Sequence, residues 1–257
     1  MKHARLTTFL VSHFSEKARW GLDFTGVAYE ERRLLPGPHL LVTRRLAKAS
    51  SVPILEHEGR VIQGSTPILD FVATELGRGV LEPDPASAEP ARELEALADR
   101  AFGLGVQRIA YFHLLNGPRE GVIELYAQNG PWWSRAFYAF AFPFVAKEVR
   151  RMYDVTPERT QEAKALFRSA MDAFDAALQG ERYFGGVRPS RLDITVAALL
   201  APFCRPPEHV MRWPELPPSL AEFAREFEGR PTFRHVLEMY RRHRSSPSSS
   251  LKEAQPS

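Results

Sequence analysis

The sequence holds a single cysteine, Cys204, in 257 residues. An internal disulfide is therefore impossible, and so is a zinc site built from several thiolates. No metal site is expected. No run reaches the roughly 18 uninterrupted apolar residues that would cross a bilayer. The opening residues, MKHARLTTFL, lack the apolar core of a signal peptide. A reducing cytoplasm is the expected location, without stable membrane insertion. A charge excess of one sign is also missing: 34 basic residues face 31 acidic ones, for a net charge of +3. One dense basic run stands out, Arg241-Arg242-His243-Arg244. It lacks the interleaved aromatics of a nucleic-acid surface, so no nucleic-acid partner is expected. What is present is ordinary for a folded chain, with 44% hydrophobic and 25% charged residues. The length is enough to bury a core without covalent staples. There is no internal repeat.

Two compositional breaks divide the chain. The stretch Leu81–Pro90, LEPDPASAEP, reads as an extended linker. Residues 245–257, SSPSSSLKEAQPS, are almost free of apolar side chains and read as a disordered tail. Between the start and residue 80, strand and helix signals alternate. Leu6–Val11 is a short β-rich run, and Phe14, Ala18, Leu22 and Thr25 fall on one face of a following helix. Val27–Leu34 is a second extended segment, followed by the turn Pro36-Gly37-Pro38-His39. Val52–Glu58 and Arg60–Gln63 read as two strands hinged at Gly59. A helix over Thr66–Leu76 closes the unit, with Ser65 as its expected cap. Residues 91–244 read as helices. Pro157–Leu178 is strongly amphipathic, whereas Leu192–Phe203 is apolar nearly all round and should lie at the centre. The expected architecture is an α/β unit followed by an all-α unit.

Three local patterns carry a family resemblance. Ser12-His13-Phe14-Ser15-Glu16-Lys17-Ala18-Arg19 leads into the first helix. Ser51-Val52-Pro53-Ile54-Leu55 is followed by Gly59, Ile62 and Ser65-Thr66-Pro67-Ile68. Ser190-Arg191-Leu192-Asp193-Ile194 precedes the apolar helix. In this order the three resemble the glutathione S-transferase superfamily. The resemblance implies a thioredoxin-like N-terminal domain with a cis-proline, residues 1–80, that binds glutathione. It also implies an all-α helical-bundle domain, residues 91–244, and a homodimer acting in detoxification.

The residues give physical grounds for such a site. Ser12 lies where a strand gives way to a helix. A hydroxyl there can donate to a thiolate held at the helix N-terminus, where the dipole also favours negative charge. Ser12 is the expected catalytic residue, acting as a stabiliser and not as a nucleophile. Ser15 is its rival, although helix geometry favours Ser15 as the N-cap. Phe14 is expected to pack under the site, and His13 reads as an exposed, incidental histidine. The resemblance gives the backbone of Val52, before cis-Pro53, the role of pairing with the cysteinyl backbone of glutathione. It gives Ser65 the γ-glutamyl carboxylate, beside Gly64. Ser15, His13, His39 and Gln63 are further candidates. The family usually carries Glu, Asp or Gln before this serine, and this chain has Gly64. Gln63, one place earlier, should face away by strand alternation.

Glutathione is thus the expected co-substrate, an apolar electrophile its partner, and no tightly bound cofactor is implied. Two other readings stay open: a non-catalytic ligand-binding or interaction protein, or a transferase that uses another small thiol. Cys204 is expected to be a buried small hydrophobe. Ser190 and Asp193 form a capping box whose loss should cost folding and not catalysis. The aromatic segment Pro131–Val145, PWWSRAFYAFAFPFV, fits a core or subunit contact, an acceptor pocket, or a membrane surface. Tyr111, Phe112 and His113 are further pocket candidates.

Overall fold

A computed structural model describes residues 4–77, 79–83, 88–178, 180–184 and 186–244. The tail at 245–257 and the middle of the expected linker, 84–87, lie outside the described residues. The first unit runs β1 (Ala4–Thr8), α1 (His13–Phe24), β2 (Tyr29–Arg33), α2 (Leu40–Leu46), β3 (Ile54–His57), β4 (Arg60–Gln63) and α3 (Ser65–Thr74). The strands form one sheet in the order β2-β1-β3-β4. β1 is parallel to β2 and antiparallel to β3, and β3 is antiparallel to β4. Leu6, Ile54 and Leu55 are wholly buried, as central strands covered by helices require. Glu58 and Gly59 both have positive φ, 49° and 79°, so the β3–β4 hairpin closes through a two-residue turn that matches strand twist. The hinge expected at Gly59 is this turn. Helix α2 was not legible in the sequence: its seven residues, LLVTRRL, bury only Thr43.

The second unit is helical. α4 (Ala88–Ala98) passes through a π-helical turn at Asp99–Leu104 into α5 (Gly105–Leu115). Then follow α6 (Arg119–Ala127), α7 (Ser134–Met152), α8 (Pro157–Ala177), α9 (Arg191–Cys204), α10 (Pro218–Arg225) and α11 (Pro231–His243). The π turn interrupts the helical run from Ala88 to Leu115. It coincides with Gly103, against which the Phe14 ring is seated: a Cβ added at Gly103 would lie 2.4 Å from Phe14 Cζ. Such single-turn insertions displace one helical carbonyl sideways, and here Gly103 O meets His13 Nε2 at 3.2 Å. α9 is buried along almost its whole length and packs against α1 and α11. Asp193 accepts from the Ser190 N–H at 2.8 Å and from the Phe184 N–H at 3.0 Å, completing the capping box. Phe102 of the π turn sits between Phe167 and Phe174 of α8, with ring centroids 5.2 and 5.0 Å away.

Two buried ionic clusters join the units, and both start from α1. Lys17 Nζ lies 2.9 Å from Glu95 Oε1, 2.9 Å from Asp99 Oδ1 and 2.7 Å from Thr66 Oγ1. Glu95 continues to Arg191 Nε at 2.8 Å. On the other side of α1, Glu16 accepts from Arg19 at 3.0 Å and from Arg244 at 2.8 Å. Burial alone would raise the Glu16 carboxyl, but the guanidinium groups of Arg244 and Arg19 outweigh it and hold the group below the usual carboxylate range. The basic run of α11 is thereby consumed. Arg244 is buried against Glu16 and Asp23, Arg241 and Arg242 pair with Glu238, and His243 meets the Tyr183 hydroxyl at 2.9 Å.

Candidate functional site

A cleft of about 1000 Å³ opens between the two units. That is the upper end of the range for small-molecule sites, roughly 300–1,000 Å³. Ser12, His13, Phe14, His39 and Val52 line its N-terminal wall. Aromatic and aliphatic side chains of α5, α6 and α7, of the end of α9 and of the segment after it line the other, among them Tyr111, Phe144, Phe203 and Trp213.

Ser12 is the N-cap of α1, with extended backbone, and its Oγ accepts the Ser15 N–H at 3.1 Å. The cap assignment to Ser15 is thus corrected. The helix begins three residues earlier than its apolar pattern suggested, because Ser12 satisfies the first-turn amide. Ser15 lies within the first turn, wholly buried, with its Oγ accepting from the Phe9 N–H at 3.4 Å. Accepting a cap bond leaves the Ser12 O–H proton free to donate, and Ser12 faces the cleft.

His13 is also corrected: it is buried, and its Nε2–H donates to Gly103 O. Burial lowers its pKa to about 4, with His209 nearby pushing in the same direction and the Gly103 carbonyl opposing. The ring is therefore neutral near pH 7, and its proton is committed to a backbone carbonyl. His39 is similarly occupied: Nδ1 accepts the Gly37 N–H at 2.9 Å, and the ring also bonds the Ser50 backbone. Burial lowers its pKa as well.

Val52-Pro53 is a cis peptide bond. Neither the N–H nor the C=O of Val52 makes a backbone hydrogen bond among the described residues. Pro53 is buried, and its carbonyl accepts the Gly64 N–H at 2.9 Å, which sets the start of α3 beside this corner. Ser65 does not cap α3. The N-cap is Gly64, with φ 101° and ψ 148°, and Ser65 is the first helical residue. This backbone region is open to glycine and strained for other residues, which accounts for the missing polar side chain at 64. Ser65 is nearly buried and makes no cap bond. Among the described residues its N–H and that of Thr66 have no backbone partner, so two amides and a hydroxyl stand at a helix N-terminus. Pro53, Gly64 and Ser65 adjoin the corner but do not line the apolar cleft.

Gln63 has a positioning role that the sequence did not reveal. Its Nε2 donates to Ala49 O and Ser51 O, both at 2.8 Å, holding the loop that leads into Val52. Cys204 is partly exposed and not fully buried, and burial of its thiol raises the pKa well above the ordinary value. Among the three other pocket candidates, Tyr111 lines the cleft. His113 instead meets Ser219 Oγ at 2.7 Å, and Phe112 is not part of the lining. Tyr126, Tyr153 and Trp213 were not anticipated. Tyr111 Oη accepts from Tyr126 Oη at 2.8 Å, and its ring stacks on Tyr153. Burial raises both hydroxyl pKa values, so Tyr111 and Tyr126 are neutral donors at physiological pH.

Residues 6–77 match the family model described as the glutathione S-transferase N-terminal domain. The match covers the first unit, which has the sequence signature of a glutathione S-transferase N-terminal domain. Solved structures extend the likeness over both units. The beta-etherase LigF from Sphingobium sp. strain SYK-6 is 20% identical, with a TM-score of 0.60 over 91% of this chain and 98% of that one. The theta class glutathione S-transferase of the citrus canker pathogen Xanthomonas axonopodis pv. citri, solved with glutathione bound, is 20% identical, with a TM-score of 0.55 over 92% and 98%. The enzyme CsGST63524 of Ceriporiopsis subvermispora, in complex with glutathione, is 14% identical, with a TM-score of 0.61 over 96% and 99%. No curated protein sequence matches the chain. Among the described residues no helix is long and apolar enough to cross a membrane, and no cluster of ligating side chains suits a metal ion.

Proposed function

We propose that the protein is a glutathione transferase that joins the glutathione sulfur to a bulky apolar electrophile. The observation that carries this reading is the placement of the free Ser12 hydroxyl and the unpaired Val52 backbone on the rim of one large apolar cleft. The peptide part of glutathione lies along Val52 as an added strand, and its γ-glutamyl carboxylate takes the Ser65 and Thr66 amides. Ser12 donates to the sulfur, and the dipole of α1 favours its anion. The thiol proton leaves to solvent, because His13 and His39 are both engaged. The thiolate then attacks an electrophilic carbon held against the aromatic wall. A carbon–sulfur bond forms while the leaving group departs with the bonding pair. Glutathione bound in two of the similar structures supports this assignment.

A carrier reading has one observation in its favour: Gly64 supplies no side chain toward the peptide. Calorimetry with glutathione, followed by conjugation of a dinitrophenyl halide, separates the two. Saturable glutathione binding and glutathione-dependent product are expected. Uptake of apolar dyes without any glutathione binding would establish the carrier instead. Turnover with a different small thiol alone would transfer the site to that thiol.

A further inference from the structure

The aromatic segment is only in part core and cleft wall. Among the described residues twelve large hydrophobic side chains are exposed, and six of them fall between positions 132 and 152. Trp132 is 95% exposed and Phe140 91%. Trp133, Phe137, Phe140 and Phe144 recur at intervals of four, three and four, which places them on one stripe of α7. Tyr138 points the other way. It is buried and donates to Pro36 O at 2.7 Å, so α7 is fixed to the turn that precedes α2. The exposed stripe is therefore a held orientation and not a loose helix.

The stripe reaches the mouth of the cleft. Phe137, Phe144 and Met152 are both exposed and part of the lining, and so is Leu41 of α2 on the opposite lip. Cations accompany the apolar groups on both lips. Positions 34 to 55 contain Arg44, Arg45 and Lys48 and not one acidic residue. All three are exposed and without a carboxylate partner among the described residues, as is Lys147 at the end of the stripe. Aromatic side chains backed by unpaired cations are the composition of a surface that sits in the interfacial layer of an anionic membrane. Pairing with a second copy through this face would set the same cations against each other, because a two-fold contact apposes identical patches.

We propose that α2 and the exposed stripe of α7 dock the protein on an anionic lipid surface, with the mouth of the cleft toward the bilayer. The inference is independent of the thiol chemistry, since it rests on the outer face and not on Ser12 or Val52. The test is co-sedimentation of the full chain with phosphatidylcholine vesicles containing roughly 30% phosphatidylglycerol, against phosphatidylcholine alone. Binding to the anionic vesicles is expected, with a blue shift in tryptophan emission. The double variant Trp132→Ser with Phe140→Ser, and separately Arg44→Gln with Arg45→Gln and Lys48→Gln, should each weaken it by about tenfold or more. Both sets are exposed, and circular dichroism on each confirms the fold. Absence of wild-type binding to the anionic vesicles overturns the proposal, as does wild-type binding by both variants. It also fails if the stripe is a copy interface, shown by a wild-type dimer that Trp132→Ser with Phe140→Ser converts to monomer without changing vesicle binding.

Discussion

Replacing Ser12 by alanine tests the site most directly, because the side chain carries two separable duties. As N-cap it accepts the Ser15 amide at 3.1 Å. Loss of such a cap costs about 1 kcal/mol, or roughly 2–4 °C in melting temperature for a chain of this size. In the proposed role of donor to the sulfur it would make a hydrogen bond to a charged group, which contributes about 1.5–3 kcal/mol. One pKa unit corresponds to about 1.36 kcal/mol, so Ser12→Ala should raise the pKa of the bound thiol by about 1–2 units. Ultraviolet thiolate absorbance of the glutathione complex, titrated with pH, reads the shift. Conjugation rates below the wild-type pKa should fall about 10- to 100-fold. Ser12→Asp separates the duties. Its carboxylate caps the helix and should restore the melting temperature, yet it has no proton to donate and repels the thiolate. A bound thiol that titrates identically in wild type and Ser12→Ala would refute the role given to Ser12, whatever happened to stability.

Three further outcomes follow from the geometry. Gly103→Ala places a methyl group 2.4 Å from the Phe14 ring, so a loss of about 1–3 kcal/mol on denaturant unfolding is expected, together with weaker acceptor binding as Phe14 shifts into the cleft. Lys17→Met strips the countercharge from buried Glu95 and from Asp99; a loss of about 3–5 kcal/mol is expected, and an unchanged melting temperature would contradict it. His13 has a pKa near 4 when folded, against about 6.5 unfolded, so between those values the unfolded chain binds more protons and stability falls as the medium is acidified. At pH 5 the contribution is about 2 kcal/mol relative to neutrality, and urea unfolding of His13→Gln should show a shallower acid slope than wild type.

Much of the architecture was legible in the order of residue types. The β-α-β then β-β-α order followed from short β-rich runs, a hinge at Gly59 and a proline opening a strand. The central helix α9 announced itself because a segment apolar on every side has nowhere to lie but the interior. The departure at Gly64 was also visible, although its cause, a backbone at φ 101°, was not. Helix α2 escaped notice, since seven residues that bury one side chain carry no period to read. Ser15 looked like the cap because its position suits the apolar pattern, whereas Ser12 holds the amide in fact.

Local pattern, then, determined which segments become strands and helices and which turn carries the catalytic candidate, because backbone propensity and side-chain periodicity act over a few residues. Tertiary structure alone decided the rest. Phe14 meets Gly103 across 89 positions of chain, and Lys17 meets Glu95 across 78. The burial that keeps His13 neutral comes from elements remote in sequence, as does the splitting of one aromatic segment into a cleft wall and an exposed stripe. Exposure and charge state belong to the packed arrangement, and no window of sequence contains both partners of such a contact.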